Sequence, residues 1–295
     1  MSTAAAFPDR SRAASEQGEG GPLRLTRPFG RVFPRRRPPA LAGAELQFMT
    51  GFLAAFGKQP DHERFANGGG NGFIDMAAGL LDGLAQPLPA LDNVMLAYHL
   101  PDMKVFEVAG CYLAERCPGS PEVLSVSGQG VGAPFTALRI LQGLRLSGRG
   151  ADGAVLVLDQ STLPYSDRDL LVGQSRDCAV LMRTTPAQAA DAVEIDFLAE
   201  FEAADPGPPL DALARELPEA VFVIGRMLAD RLDPDLRLHL HLRRVLAEGP
   251  PDLLCTGVWT ALGEHWASDR YTVVADYDPY SARLFQVGLR PGATP

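Results

Sequence analysis

The chain has no run of apolar residues near the roughly 20 that a membrane-spanning helix requires, so a membrane protein is not expected. Its amino terminus, MSTAAAFPDRSRAASEQGEGG, lacks the apolar core of a secretory signal. Cysteine is scarce, and Cys111, Cys117, Cys178 and Cys255 show neither disulfide-framework nor metal-ligand spacing. A reducing cytoplasm is the expected compartment. Positive charge is also in deficit: a net charge of -9 argues against a nucleic-acid surface, which needs clustered Lys and Arg. The basic run Arg35-Arg36-Arg37 precedes Pro38-Pro39 and reads as a solvated loop with no partner assigned. What remains, 295 residues at 46% hydrophobic and 21% charged, is enough chain for one large domain or two fused halves.

Residues 1–21 are small, polar and Gly-rich, and are expected to be a disordered tail. Ala44 to Phe56 and Phe73 to Leu84 carry helical periodicity, with Asn71 available as a cap for the second. Short apolar runs bounded by turn residues then predict buried strands at Asn93–His99, Glu122–Val126, Gly153–Asp159 and Cys178–Met182. Helical spacing recurs at Val105–Arg116 and at Pro134–Leu146, the latter opening with proline and closing before Ser147-Gly148. Alternating strands and helices imply an α/β sheet. After Val193–Leu198, the passage Asp205-Pro206-Gly207-Pro208-Pro209 reads as a connection between two halves, followed by helical pattern at Leu210–Leu232 and Pro234–Leu246. Tyr271–Tyr277 and Arg283–Leu289 stand at hairpin distance.

The most informative segment is Ser127-Gly128-Gln129-Gly130-Val131-Gly132-Ala133-Pro134. Its alternating glycines imply a turn between strand and helix that passes close to a ligand, another segment or the helix itself. One reading is dinucleotide binding: Gly128-x-Gly130-x-x-Ala133 fits the NAD(P) fingerprint, and Asp159 ends the next strand where a ribose-binding acid belongs. Against it, such a motif normally opens its domain, and here two helices, a strand and another helix precede it.

The other reading rests on resemblance. The order of LAYHLPD (Leu96–Asp102), AGCYLAERCPGSP (Ala109–Pro121), the glycine elbow and GAVLVLDQST (Gly153–Thr162) resembles the first half of a thiolase-fold ketoacyl-acyl-carrier-protein synthase III. The resemblance implies a layered α/β/α/β/α fold of two related halves, 22–198 and 199–295, the second shortened. Laying Ala137-Leu138 on the family's elbow puts Val131 where the nucleophilic cysteine belongs. Valine cannot carry an acyl thioester, so Claisen chemistry through this position is excluded. The family's His and Asn in the second half find only a loose counterpart in His239-Leu240-His241-Leu242, and the second catalytic loop falls near Pro251-Asp252. His239, His241 and Asp252 are therefore the candidates there. The other site positions are the elbow residues Gly128, Gln129, Gly130, Val131, Gly132 and Pro134.

The closing Asp278-Pro279-Tyr280 replaces the family's glycine-rich turn, and with Cys255-Thr256-Gly257 it resembles the non-catalytic subunit of heterodimeric alkylquinolone synthase. The resemblance thus implies a subunit without catalysis of its own and without cofactor. Its expected partners are a catalytic synthase III subunit, or a second copy of itself, and an acyl-CoA or acyl-carrier protein. A stand-alone acyltransferase using His239, His241 or His265 as base remains open. Other clusters read as packing or solvated surface: Cys111, Cys117 and Cys178 as small hydrophobes, Asp276 and Asp278 as a solvated hairpin end, Trp259 and Trp266 as core. Arg139, Arg145 and Arg149 form a candidate carrier-protein patch on the elbow helix.

Overall fold

In the computed structural model the described residues are 22–165, 175–186, 191–242 and 246–292, and the tail at 1–21 lies outside them. The elements follow in order: strands β1 (Arg24–Leu25) and β2 (Phe29–Val32); helices α1 (Gly43–Ala54), α2 (His62–Ala66) and α3 (Phe73–Asp82); β3 (Asn93–Tyr98), α4 (Ala109–Arg116), β4 (Glu122–Val126), a 3-10 turn at Gly130–Gly132, α5 (Ala133–Leu146) and β5 (Gly153–Asp159). Then come β6 (Cys178–Thr185), β7 (Val193–Glu202), α6 (Gly207–Glu216), β8 (Val221–Ile224), α7 (Arg226–Ala229), α8 (Pro234–Leu242), β9 (Leu246–Glu248), α9 (Gly257–Glu264), β10 (Thr272–Asp278) and β11 (Arg283–Arg290).

Among the described residues the strands join in the order β4-β3-β5-β6-β1-β7-β11-β10-β8-β9, with β2 also on β6. The order is nearly symmetric. In one arm β3 is parallel to β4 and β5, and β6 runs antiparallel to β5. In the other β8 is parallel to β9 and β10, and β11 runs antiparallel to β10. Strands buried on both faces explain the unbroken apolar runs. Met95, Ala97, Val155, Val157, Val223 and Val274 turn to one central core, which α5 and α9 fill. Their strand neighbours turn outward: Leu96, Leu156 and Leu158 pack on α3 and α4, while Phe222, Ile224 and Ala275 pack with Leu210, Leu213 and Leu228 of α6 and α7. Three apolar cores separated by two arms of sheet give helix, sheet, helix, sheet, helix, as expected.

At the centre Phe135 of α5 lies 4.9 Å from the Trp259 ring of α9 and 5.7 Å from Phe285 of β11. Trp259 is fully buried, and Trp266 packs on the same core while its indole N–H donates to the Asp191 carbonyl.

Several sequence expectations are corrected. The helix expected over 210–232 is α6, then β8, then α7, because the β-branched run after Ala220, bounded by Pro218 and Gly225, pairs with β9 and β10. The helix expected over 234–246 runs over Pro234–Leu242 among the described residues, and Leu246 already belongs to β9. Helix α4 begins at Ala109, not Val105. Gly72, not Asn71, caps α3; the buried Asn71 side chain instead binds Asp177 at 2.9 Å. The division drawn after Leu198 falls inside β7.

Candidate functional site

The C-terminal ends of β4 and β8 and the loop after β9 lead into turns that meet at one place, and what they bring is apolar. Val131, Met227 and Leu254 form a buried cluster. Val131 sits in the 3-10 turn because Gly130 adopts a left-handed φ of +53° beneath it. Added to Gly130, a Cβ would stand 2.8 Å from an Asp278 carboxylate oxygen, and at Gly132 it would overlap the Phe285 ring. The elbow glycines are therefore used by the protein's own packing, with Pro134 buried at the start of α5. Gln129 accepts a hydrogen bond from the Thr136 hydroxyl, and Gly128 turns at φ +71° with open space about it.

Beneath the cluster lie buried carboxyls at matching places in the two arms. Asp159, the last residue of β5, accepts N–H bonds from Leu254, Cys255 and Thr256 at 2.9, 2.9 and 2.8 Å, and the Thr256 hydroxyl at 2.6 Å. These close the entry to α9. Asp278, the last residue of β10, faces Gly130 at the entry to α5 and holds its own turn through Tyr280 N–H and the Ser281 hydroxyl. Each arm's strand end thus supports the other arm's central helix.

Asp276 is the third acid. It is 1% exposed, its Oδ1 accepts the Tyr277 N–H at 2.8 Å, and Oδ2 has no partner among the described residues. Burial, reinforced by the neighbouring Asp278 and Asp159 charges, pushes it up to about 8, against the pull of the Tyr277 and Leu228 N–H groups. Its carboxyl fills the space where a side chain at Gly225 would begin. The expectation of a solvated hairpin end at Asp276 and Asp278 is thus overturned: the hairpin is central, and both acids point inward. Nearby His99, at the end of β3, is held below the usual imidazole range by burial, which outweighs the Asp159 and Asp278 charges.

The dinucleotide reading finds no room. Asp159 is committed to the α9 entry, Asp278 stands against Gly130, and Phe285 against Gly132. The second-half candidates pair elsewhere or lie exposed. His239 and His241 are exposed on α8, where His241 pairs with Glu248 at 3.0 Å. His239 edges a cleft of about 950 Å³ shared with Asp205, Arg215 and Arg231. Asp252 turns to Arg176, and His265 is exposed at the end of α9. Met227 and Leu254 occupy the place by Val131 instead; neither residue type carries a catalytic signal in sequence.

The three buried cysteines are poor nucleophiles in this setting. Burial raises the thiols of Cys117 and Cys255, and that of Cys178 to about 12, so none is a thiolate at neutral pH. Cys255 faces the Gly130 carbonyl at 3.9 Å. Cys111 is exposed on α4. No group of three or more ligands able to hold a metal occurs among the described residues. Of the candidate arginine patch, Arg145 is buried on the elbow helix and does not belong, while Arg139 pairs with Glu200 at 2.9 Å and Arg149 with Glu122 at 3.4 Å at the surface.

Comparison with solved structures matches this geometry. The tetronic acid condensing enzyme AbyA1 superposes with a TM-score of 0.57 at 13% identity, covering 91% of this chain and 99% of that one. The fold is thiolase-like. The 3-oxoacyl-[acyl-carrier-protein] synthase III of Aquifex aeolicus (TM-score 0.54, 12% identity, 91% and 99% covered) and OleA of Xanthomonas campestris (TM-score 0.58, 7% identity, 91% and 98% covered) share it. The chain therefore has the architecture of ketosynthase-III-like condensing enzymes over nearly their whole length. No protein-family model matches it, and no curated protein matches it in sequence. Among the described residues no helix is long and apolar enough to cross a membrane.

Proposed function

We propose that this chain is a non-catalytic ketosynthase-III-like subunit that pairs with an active synthase and shapes the pocket for an acyl-CoA or acyl-carrier-protein substrate. The observation that carries this reading is the Val131–Met227–Leu254 cluster. In a condensing enzyme of this architecture the elbow must present a nucleophile to an acyl thioester, with polar groups opposite to stabilise the developing charge. Here the elbow presents an isopropyl group, and a thioether and an isobutyl group close over it. Of the buried carboxyls beneath, Asp159 and Asp278 are taken up as supports for the entry to α9 and for the closing turn.

The edge strand β4 supports pairing. Among the described residues it pairs only with β3, which makes it an edge strand, and Leu124 is 36% exposed there. An apolar open edge of this kind is a template for strand addition. A partner synthase docking on it would bring its own catalytic groups to the assembly.

The test is intact-protein mass spectrometry after incubation with a panel of acyl-CoAs. The expected result is no covalent adduct on this chain alone, and turnover only when it is co-expressed with a cysteine-bearing synthase III that co-purifies. A stoichiometric adduct on Cys111, Cys117, Cys178 or Cys255 overturns the reading and makes the chain an enzyme in its own right.

A further inference from the structure

Helix α1 is apolar on two sides. Met49 faces inward to Phe65, Leu41 and Met103, and Leu53 is buried on the same helix. Outward, Phe48, Phe52 and Phe56 follow at four-residue spacing and are 47%, 51% and 66% exposed. Their rings touch in sequence, at 6.2 Å and 5.3 Å between centroids, and Phe106 from the loop before α4 closes on Phe48 at 5.6 Å. The four rings form one ridge, already ordered in the single chain. Beside it on the helix surface runs a shallow track of Gly51 and Ala55. Gly51 is exposed in mid-helix, where a Cβ would meet nothing within 4 Å. A mid-helix glycine costs about 1 kcal/mol relative to alanine, and no packing among the described residues requires it.

We propose that two copies of this chain join face to face through α1, the phenylalanine ridge of each lying in the Gly51–Ala55 track of the other. Ridge and track adjoin on one helix along rows four residues apart, which is the arrangement that two helices interdigitate by. A surface carrying both is self-complementary, as a two-fold contact demands. The area suffices. With about 200 Å² per phenylalanine side chain and about half of it exposed, the rings alone offer about 800 Å² across a pair. Val108, 61% exposed beside Phe106, and the small residues of the track carry the total towards the roughly 1,000 Å² that a specific interface needs. Charge favours a second copy over a lipid surface. From Gly43 to Gly57 the only ionisable residue is Glu45, so two chains of net charge -9 meet there without opposed like charges. An interfacial membrane helix instead carries lysines and arginines for anionic headgroups, and α1 has none.

The test is sedimentation equilibrium of the full chain across a concentration series, with Phe52→Asp and Gly51→Cys. The wild type is expected to associate reversibly. Phe52→Asp, an exposed position where circular dichroism should confirm the unchanged fold, is expected to weaken association about tenfold or more. Gly51→Cys is expected to form a disulfide-linked pair on mild oxidation, whereas the wild type, with its exposed Cys111, does not. A wild type that stays monomeric, association unchanged in Phe52→Asp, or Gly51→Cys that does not cross-link each overturns the proposal. So does a ridge that binds lipid vesicles while the copies stay apart. The β4 edge is a separate surface: Leu124→Asp should leave this self-association intact, and loss in Leu124→Asp with retention in Phe52→Asp also overturns the proposal.

Discussion

A valine in the elbow is a statement about chemistry only because of what stands opposite it. Val131 alone suggests a missing nucleophile; Met227 and Leu254 pack around it as core. Val131→Cys should therefore remain unacylated by acyl-CoA, read by intact mass, at a stability cost of about 1 kcal/mol for the lost packing. Acylation of that variant would mean that the cluster opens to thioesters. The strand, turn and helix around Val131 were legible from the order of segments. The neighbours of Val131 in space were not, because Met227 and Leu254 arrive from other strands and look like ordinary apolar residues in sequence. Asp276 misleads for a related reason: beside a predicted turn it reads as solvated, yet the hairpin is an inner pair of the sheet.

That burial has a pH consequence at the same scale. Asp276 titrates near 8 in the folded protein and near 3.9 in an unfolded chain. The folded state thus keeps a proton that the unfolded state releases. Its contribution to stability is full below about pH 4 and is lost progressively as pH rises through about 8. Asp102, pushed up to about 6 chiefly by burial, acts in the same direction. Asp276→Asn removes one of these slopes. Thermal melts should show the variant gaining on the wild type from pH 5 to pH 8, while a constant difference across that range would mean that Asp276 is ionised throughout.

At the scale of elements, the strands read best from sequence were the parallel ones of the first arm, because burial on both faces leaves an unmistakable apolar run. Strand β8 escaped because its apolar residues continue the helical phase of α6, and only pairing with β9 and β10 decides between the two periods. Strand β1, two residues long, has no periodicity to read. The elbow is the element most sensitive to size. Gly132→Ala would drive a methyl into the Phe285 ring at the centre of the molecule. A loss of about 3 kcal/mol is expected in denaturant unfolding; a neutral result would mean that α5 can shift away from β11.

For the whole molecule, the resemblance anticipated the layers and the two related arms. The sharing of supports between the arms was outside its reach. Asp159→Ala should lower unfolding free energy by about 3 kcal/mol or more, since it strands three N–H groups at the entry to α9. Denaturant titration should show both arms lost in one transition. Two separate transitions would mean that each arm stands alone.

This exchange also bears on how the chain comes to be folded during synthesis. The groups that satisfy Asp159 lie 95 to 97 residues further along. Domains generally fold as they emerge from the ribosome. Here the first arm leaves the ribosome with an acid at its heart that nothing yet made can satisfy, and its elbow waits longer still, for Asp278. The first arm is therefore expected to stay incompletely packed, its apolar strands exposed, until the last hairpin is translated.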